Sequence, residues 1–140
     1  MNEIKSIERQ LDNIKNKRKQ NNIKTCYSNL VTLSNIMNDL NKYIFNDPLK
    51  EHKDRLKKIC ETERKTNIEL IIHLSYDSFV ENFNSEKDFK YLFLDIQKSS
   101  FYEEYKNDEQ IKEMETIVKI FDLIDEAEKK KIIVMLLKNL

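Results

Sequence analysis

The chain contains no glycine in its 140 residues, and this absence limits its fold more than any other feature. Glycine is the residue that most readily adopts the positive φ angles of tight hairpin turns and bulges. Without it β-hairpins are disfavoured, and helices remain. We therefore predict an all-α fold, an irregular bundle of about six helices with an amphipathic helix at the N-terminus.

The absence of glycine has a second explanation, the base composition of the gene. Alanine occurs only as Ala127, lysine outnumbers arginine 21 to 4, and asparagine occurs 15 times. The residues with GC-rich codons are the rare ones, which indicates an AT-rich genome. Such genomes occur in low-GC bacteria, phages, large DNA viruses and some protozoa. This origin favours a phage, viral or mobile-element protein over a housekeeping enzyme.

The length fits one domain, because a chain of this size buries roughly two-thirds of its unfolded surface. We predict a single helical domain over residues 1–140, in which 1–20 form a projecting or pairing helix and 22–140 form the bundle. The start, MNEIKSIERQ, has no apolar signal segment, and no run approaches the roughly 18 apolar residues of a membrane span. Cys26 and Cys60 lie far apart in the sequence. We expect a cytoplasmic protein with free, buried thiols and no membrane contact.

A narrow apolar stripe marks the first segment. Its residues follow one another at spacings of three, four and three, the spacing of one face of a helix. The flanks are strongly polar, a pattern typical of a coiled-coil seam. We interpret it as a contact surface for another protein or for a second copy of the chain, formed by Ile4, Ile7, Leu11 and Ile14.

A second stripe begins at Ile23 and continues in a new phase towards Ile44. The step from Ile14 to Ile23 is nine residues where a heptad has seven, and two extra residues rotate the stripe by about 200° on a continuous helix. We therefore predict a helix break at residues 20–22, where asparagine takes the left-handed turn geometry.

Later boundaries follow from capping residues. Asn46, Asp47 and Pro48 indicate a break before a long helix that ends near Leu74. The remaining predicted helices are a short one at 78–84, one at 86–98, one or two turns at 101–105, one at 109–124 capped by Asp108, and a last one capped by Asp125.

The basic stretch KNKRKQNN supports an alternative function, a small helical DNA-binding regulator. Its phosphate contacts would be Lys17, Arg18, Lys19 and Lys24. The basic residues of the stretch itself, at positions 15, 17, 18 and 19, spread around the helix, however, and lysines also suit a helix C-terminus. The chain has only four arginines and no net charge, so nucleic acid is not the favoured partner.

Aromatic residues concentrate in one region, since nine of the thirteen lie between Tyr76 and Tyr105. Such a region forms either a closed core or a groove. We expect Phe101, Tyr102 and Tyr105 to be exposed in a protein interface. A further alternative, an acyl or lipid sensor, would line its pocket with Phe79, Phe83, Phe89 and Phe93.

Catalytic chemistry has little support. There is no HExxH or CxxC motif, and the glycine-rich phosphate loops are excluded. We interpret His73 as a structural histidine of the core and His52 as an interfacial one. We predict no catalytic residue, no metal site and no cofactor.

Charge is distributed unevenly along the chain. Residues 1–66 carry a net charge of +6, residues 67–128 carry −10, and residues 129–140 carry +4. The basic and acidic parts are therefore expected to face each other within one molecule, across a homodimer, or through a charged partner. Together these observations favour a non-catalytic protein-binding module, an adaptor, subunit or inhibitor.

Overall fold

The computed structural model describes residues 2–42, 47–123 and 126–139, and within them the regular secondary structure is entirely helical. This confirms the all-α prediction. Two compact units form, Met1–Ile71 and Ile72–Leu140; the prediction of one domain over the whole chain stays a prediction. The described residues form seven helices: α1 (Asn2–Arg18), α2 (Ile23–Lys42), α3 (Asp47–Glu81), α4 (Glu86–Lys98), α5 (Tyr102–Tyr105), α6 (Glu109–Leu123) and α7 (Glu126–Lys138).

The core of the first unit joins the apolar faces of α1, α2 and the first half of α3. The stripe of α1 packs against side chains that α2 and α3 bury on their facing sides. Leu30, Met37 and Ile59 cover the margin of this cluster. Its buried members are Ile4, Ile7, Leu11, Ile14, Leu33, Ile36, Leu40, Leu56 and Cys60.

The break between α1 and α2 lies where the change of phase predicted it. Asn21 has a φ of 52°, the left-handed conformation that asparagine tolerates better than most residues. The Asn22 side chain then caps α2, because its Oδ1 accepts a hydrogen bond from the backbone N–H of Thr25 at 3.1 Å. Asparagine thus supplies both the turn and the cap in a chain that has no glycine.

A buried polar network crosses the same core. Arg18 of α1 forms an ion pair with Glu63 of α3, and Asn67 Nδ2 donates to the backbone oxygen of Glu63 at 2.7 Å. Asn29 of α2 donates to Asn67 Oδ1 at 2.9 Å. Buried polar groups with partners specify one arrangement of the elements around them. The network therefore fixes the register of the three helices.

Helix α3 is continuous where the sequence predicted a break. The predicted short helix at 78–84 is wrong, since α3 continues to Glu81. The reason is that the buried positions keep helical spacing through Ile68, Ile72, Ser75 and Phe79. Ser75 occupies an interior position of that stripe, and the capping-box spacing of Ser78 and Glu81 falls inside the helix.

The core of the second unit is aromatic. Phe89 of α4 contacts Phe79 and Phe121, each with ring centroids 5.0 Å apart and edge to face. Such pairs add to the stability gained from burial alone. The contact with Phe121, together with the ion pair between Lys90 and Asp122, sets the start of α4 beside the end of α6. These two helices therefore run antiparallel.

Short connections in this unit behave as predicted. The turn at 102–105 is α5, and Asp108 caps α6, because its Oδ1 accepts hydrogen bonds from the N–H groups of Gln110 and Ile111 at 2.9 and 3.4 Å. The predicted seam residue Ile44, the break at Asn46 and the cap at Asp125 lie outside the described residues.

Candidate protein-binding surface

The α1 seam is not an exposed surface. Ile4, Ile7, Leu11 and Ile14 are each only 2 or 3% exposed and lie in the core of the first unit. The narrow stripe finds its partner helices within the chain. Its interpretation as a contact for another protein is corrected on this point, because no apolar side of the stripe remains uncovered.

Phe101 is also buried, contrary to expectation. It is fully enclosed, and its ring meets that of Tyr105 edge to face at 6.1 Å. Tyr102 and Tyr105 are half-buried, and the Tyr102 hydroxyl donates to Glu115 Oε2 at 3.4 Å. The aromatic region at 101–105 thus anchors α5 to its unit and leaves only the two tyrosine edges accessible.

The phenylalanines of the predicted ligand pocket fill the core themselves. Phe79, Phe83 and Phe89 are at most 1% exposed, and their ring centroids lie 5.0–5.9 Å apart. Their mutual contacts occupy the space that an acyl chain would need. Phe93 is the exception, because its edge reaches a surface groove.

Among the basic residues of the DNA-binding alternative, Arg18 is already engaged. Its guanidinium makes two hydrogen bonds to Glu63, whose carboxylate is buried, so it is not directed at phosphates. Lys17, Lys19 and Lys24 are exposed. Lys17 and Lys24 line one shallow depression of 280 Å³ at the corner between α1 and α2.

The two histidines make structural contacts. His52 Nε2 lies 2.7 Å from Glu8 Oε1 and so joins α3 to α1, as an interfacial histidine does. His73 is exposed, contrary to expectation, and pairs with Asp77 at 3.4 Å. Across residues 2–42, 47–123 and 126–139, no three of the His, Cys, Asp and Glu residues converge on a metal-ion position.

The surface that sequence reasoning missed is on α7. This helix contains six consecutive apolar residues, 132–137, and such a run covers every side of a helix. Ile132, Ile133 and Leu136 are half-buried, whereas three others lie on the outer side. Val134 is 52% exposed, Met135 63% and Leu137 50%. We call Val134, Met135 and Leu137 the α7 apolar face.

Lysines surround this face. Lys129 is held by Glu86 of α4, at 3.0 Å from its Oε1, on the half-buried side of the helix. Lys130, Lys131 and Lys138 are exposed. Helix α7 carries four lysines against two glutamates, a net charge of +2, so the α7 apolar face lies in a positive field.

An open groove of 530 Å³ lies between α4 and α6 in the same unit, and we call it the α4/α6 groove. Phe93, Leu94 and Val118 provide its apolar wall. Two ion pairs bound it, Lys90 with Asp122 and Lys119 with Glu115, and Gln97 completes the lining. The acceptors Asp122 and Glu86 raise the pKa of Lys90 above its ordinary value. The first pair joins α4 to α6 at one end of the groove, whereas the second lies within α6 itself, four residues apart.

Across the described residues, no helix combines the length and the apolar character that crossing a membrane requires. Comparison of the chain with protein-family models, with curated proteins and with solved structures returned no match.

Proposed function

We propose that this chain is a non-catalytic protein-binding module, an adaptor, subunit or inhibitor, and that it binds its partner through the α7 apolar face. The observation that carries the proposal is the exposure of Val134, Met135 and Leu137 within about one helical turn. A helix that is apolar on all sides is normally buried. Here one side is left for another molecule.

The free energy gained by burying the α7 apolar face supports a contact of this kind. Scattered apolar side chains on a surface need no explanation, but a cluster in a polar surround marks an interaction site. Covering three half-exposed side chains of this size stabilises a complex by on the order of 2–4 kcal/mol. The surrounding lysines add attraction and orientation towards an acidic partner.

The test is affinity capture with the tagged full chain, comparing the double variant Met135→Asp, Leu137→Asp with the unchanged protein. The matched control is Val31→Asp, because Val31 is 64% exposed on α2 in the first unit. We expect the α7 variant to lose its protein partner and the control to keep it. Equal capture by all three proteins would overturn the proposal.

The DNA-binding alternative has one observation in its favour, the depression lined by Lys17 and Lys24. It requires that affinity for duplex DNA fall steeply with salt. It also requires that Lys17→Glu with Lys24→Glu abolish binding, while Lys130→Glu with Lys131→Glu does not. An affinity that stays constant between low and physiological salt removes it.

A further inference from the structure

The second unit carries two surfaces that fit one another, the α7 apolar face and the α4/α6 groove. We propose that α7 of one chain docks into the α4/α6 groove of a second copy, and that the second copy returns the same contact. The inference rests on the proposed function and names its partner. The partner is this chain itself.

The first argument for this dimer is that both surfaces are apolar. The α4/α6 groove offers an apolar wall of Phe93, Leu94 and Val118, and an apolar groove is what the apolar face of a helix binds. The α7 apolar face offers three aliphatic side chains on one turn. Burying both together removes two exposed surfaces from water in a single contact.

Charge is the second ground. Residues 72–123 carry twelve acidic and six basic side chains, whereas α7 carries four basic and two acidic ones, a net charge of +2. Lys130, Lys131 and Lys138 are exposed and form no ion pair within the described part of the chain. Asp95 follows the groove residue Leu94, is exposed, and likewise has no ion pair there. The charges that line the groove balance, two lysines against two carboxylates, so the attraction for the lysine-bearing helix comes from the excess acidic side chains of the surrounding unit.

The chain's own α7 is turned the wrong way for its own groove. Lys129 is fastened to Glu86, and the side of α7 that is half-buried is the opposite one, with Ile132, Ile133 and Leu136. No residue of α7 lines the groove. The apolar face therefore points outward, to a groove that another molecule supplies.

Twofold symmetry allows both contacts of the dimer to form at once. Each copy has one α7 apolar face and one α4/α6 groove, so two copies can satisfy each other about a twofold axis. Both surfaces are then covered, and this contact is complete with two copies.

The experiment is sedimentation analysis of the full chain over a concentration series. We expect a dimer for the unchanged protein and for the Val31→Asp control. Self-association should be at least about tenfold weaker for Met135→Asp with Leu137→Asp and for the groove variant Leu94→Lys. Circular dichroism verifies that each variant stays helical. The charge variant Lys130→Glu with Lys131→Glu leaves the apolar residues intact and should also weaken the dimer.

The decisive experiment mixes the α7 variant, Met135→Asp with Leu137→Asp, with the groove variant, Leu94→Lys. A mixed dimer keeps one intact contact, the unchanged α7 in the unchanged groove, whereas each variant alone keeps none. We expect the mixture to associate more strongly than either variant. If each variant is monomeric and the mixture is too, α7 does not meet the groove and the inference is overturned.

Other outcomes separate this inference from the proposed function. A monomeric chain whose α7 variant still loses a captured protein overturns the second copy as partner and leaves the protein-binding function standing. A monomeric chain that binds phosphatidylserine vesicles through the α7 apolar face, lost in the α7 variant, assigns that face to an anionic lipid surface and overturns both.

Discussion

Arg18 holds Glu63 with two hydrogen bonds, from Nε to Oε2 at 2.8 Å and from Nη2 to Oε1 at 3.2 Å. The arginine lies in the last turn of α1 and the glutamate in the middle of α3, 45 positions later. The Glu63 side chain is only 4% exposed. A bidentate pair of this geometry orients both groups, so it positions the end of α1 on α3 and fixes where the turn at Asn21 begins.

Replacing Arg18 by methionine should destabilise the first unit by about 3 kcal/mol, because it leaves a buried carboxylate without its cation. Urea unfolding followed by circular dichroism measures the change. The control is the double variant Arg18→Met with Glu63→Leu, which removes both charges and should be more stable than Arg18→Met alone. If the double variant is the less stable of the two, the pair does not act as described.

Leu11→Ala should destabilise the first unit by about 2–5 kcal/mol, since Leu11 is enclosed by α2 and α3 and its removal leaves a cavity. Val31→Ala is the matched control, because this exposed side chain should change stability by less than about 0.5 kcal/mol. Thermal unfolding of both variants makes the comparison. Equal and small effects would show that the α1 stripe is not the core.

Both thiols should resist alkylation in the folded protein. Burial, and then the Glu61 carboxylate, raise the pKa of Cys60 to about 11, and its Sγ donates to the backbone oxygen of Leu33 at 3.4 Å. Burial raises the pKa of Cys26 as well, although the Arg18 guanidinium opposes this. Because the thiolate is the reactive form, iodoacetamide at mildly alkaline pH should modify neither cysteine until urea is added. Rapid native labelling, read by mass spectrometry, would contradict the burial of these residues.

Stability should depend on Tyr76 at high pH. Burial, and then the hydrogen bond from its hydroxyl to Glu113 at 2.9 Å, raise the pKa of Tyr76 to about 12, against about 10 in an unfolded chain. The folded state therefore prefers the protonated phenol. Its contribution is complete below pH 10 and is lost as the pH rises towards 12.

Tyr76→Phe isolates this effect. The difference in unfolding free energy between the unchanged protein and the variant should shrink between pH 10 and 12, because every other titratable group is common to both proteins and cancels from the difference. Tyr91→Phe is the control for the removal of a tyrosine hydroxyl, because Tyr91 is 54% exposed. A pH-independent difference for Tyr76→Phe would refute the raised pKa of Tyr76 in the folded protein.

Local patterns in the sequence were sufficient for most helix boundaries. The change of phase after Ile14 located the turn that Asn21 makes, and Asp108 located the start of α6, because both signals act within a few residues. The break before residue 78 was predicted wrongly, since a capping-box spacing has the same form inside a helix. Only the packing of Ser75 in a buried stripe decides between the two.

The candidate surface was less accessible to such reasoning. A stripe as narrow as that of α1 has the same sequence form whether its partner helix is in the same chain or in another. Asn29 and Asn67 give no sequence signal of burial. Each can be buried because it hydrogen-bonds to the other, and that pairing forms only in the folded chain. The apolar run of α7 was visible, but which of its sides stays uncovered depends on the Glu86 contact, 43 residues away.

The continuity of α3 also limits how this protein can be divided. The boundary between the compact units falls at Ile71 and Ile72, inside a helix of 35 residues. Within a helix, each backbone N–H donates to the oxygen four residues before it. Neither half can be excised, swapped or fused elsewhere without cutting α3 within a turn. The cut would leave backbone N–H and C=O groups without their hydrogen-bond partners at the new helix ends.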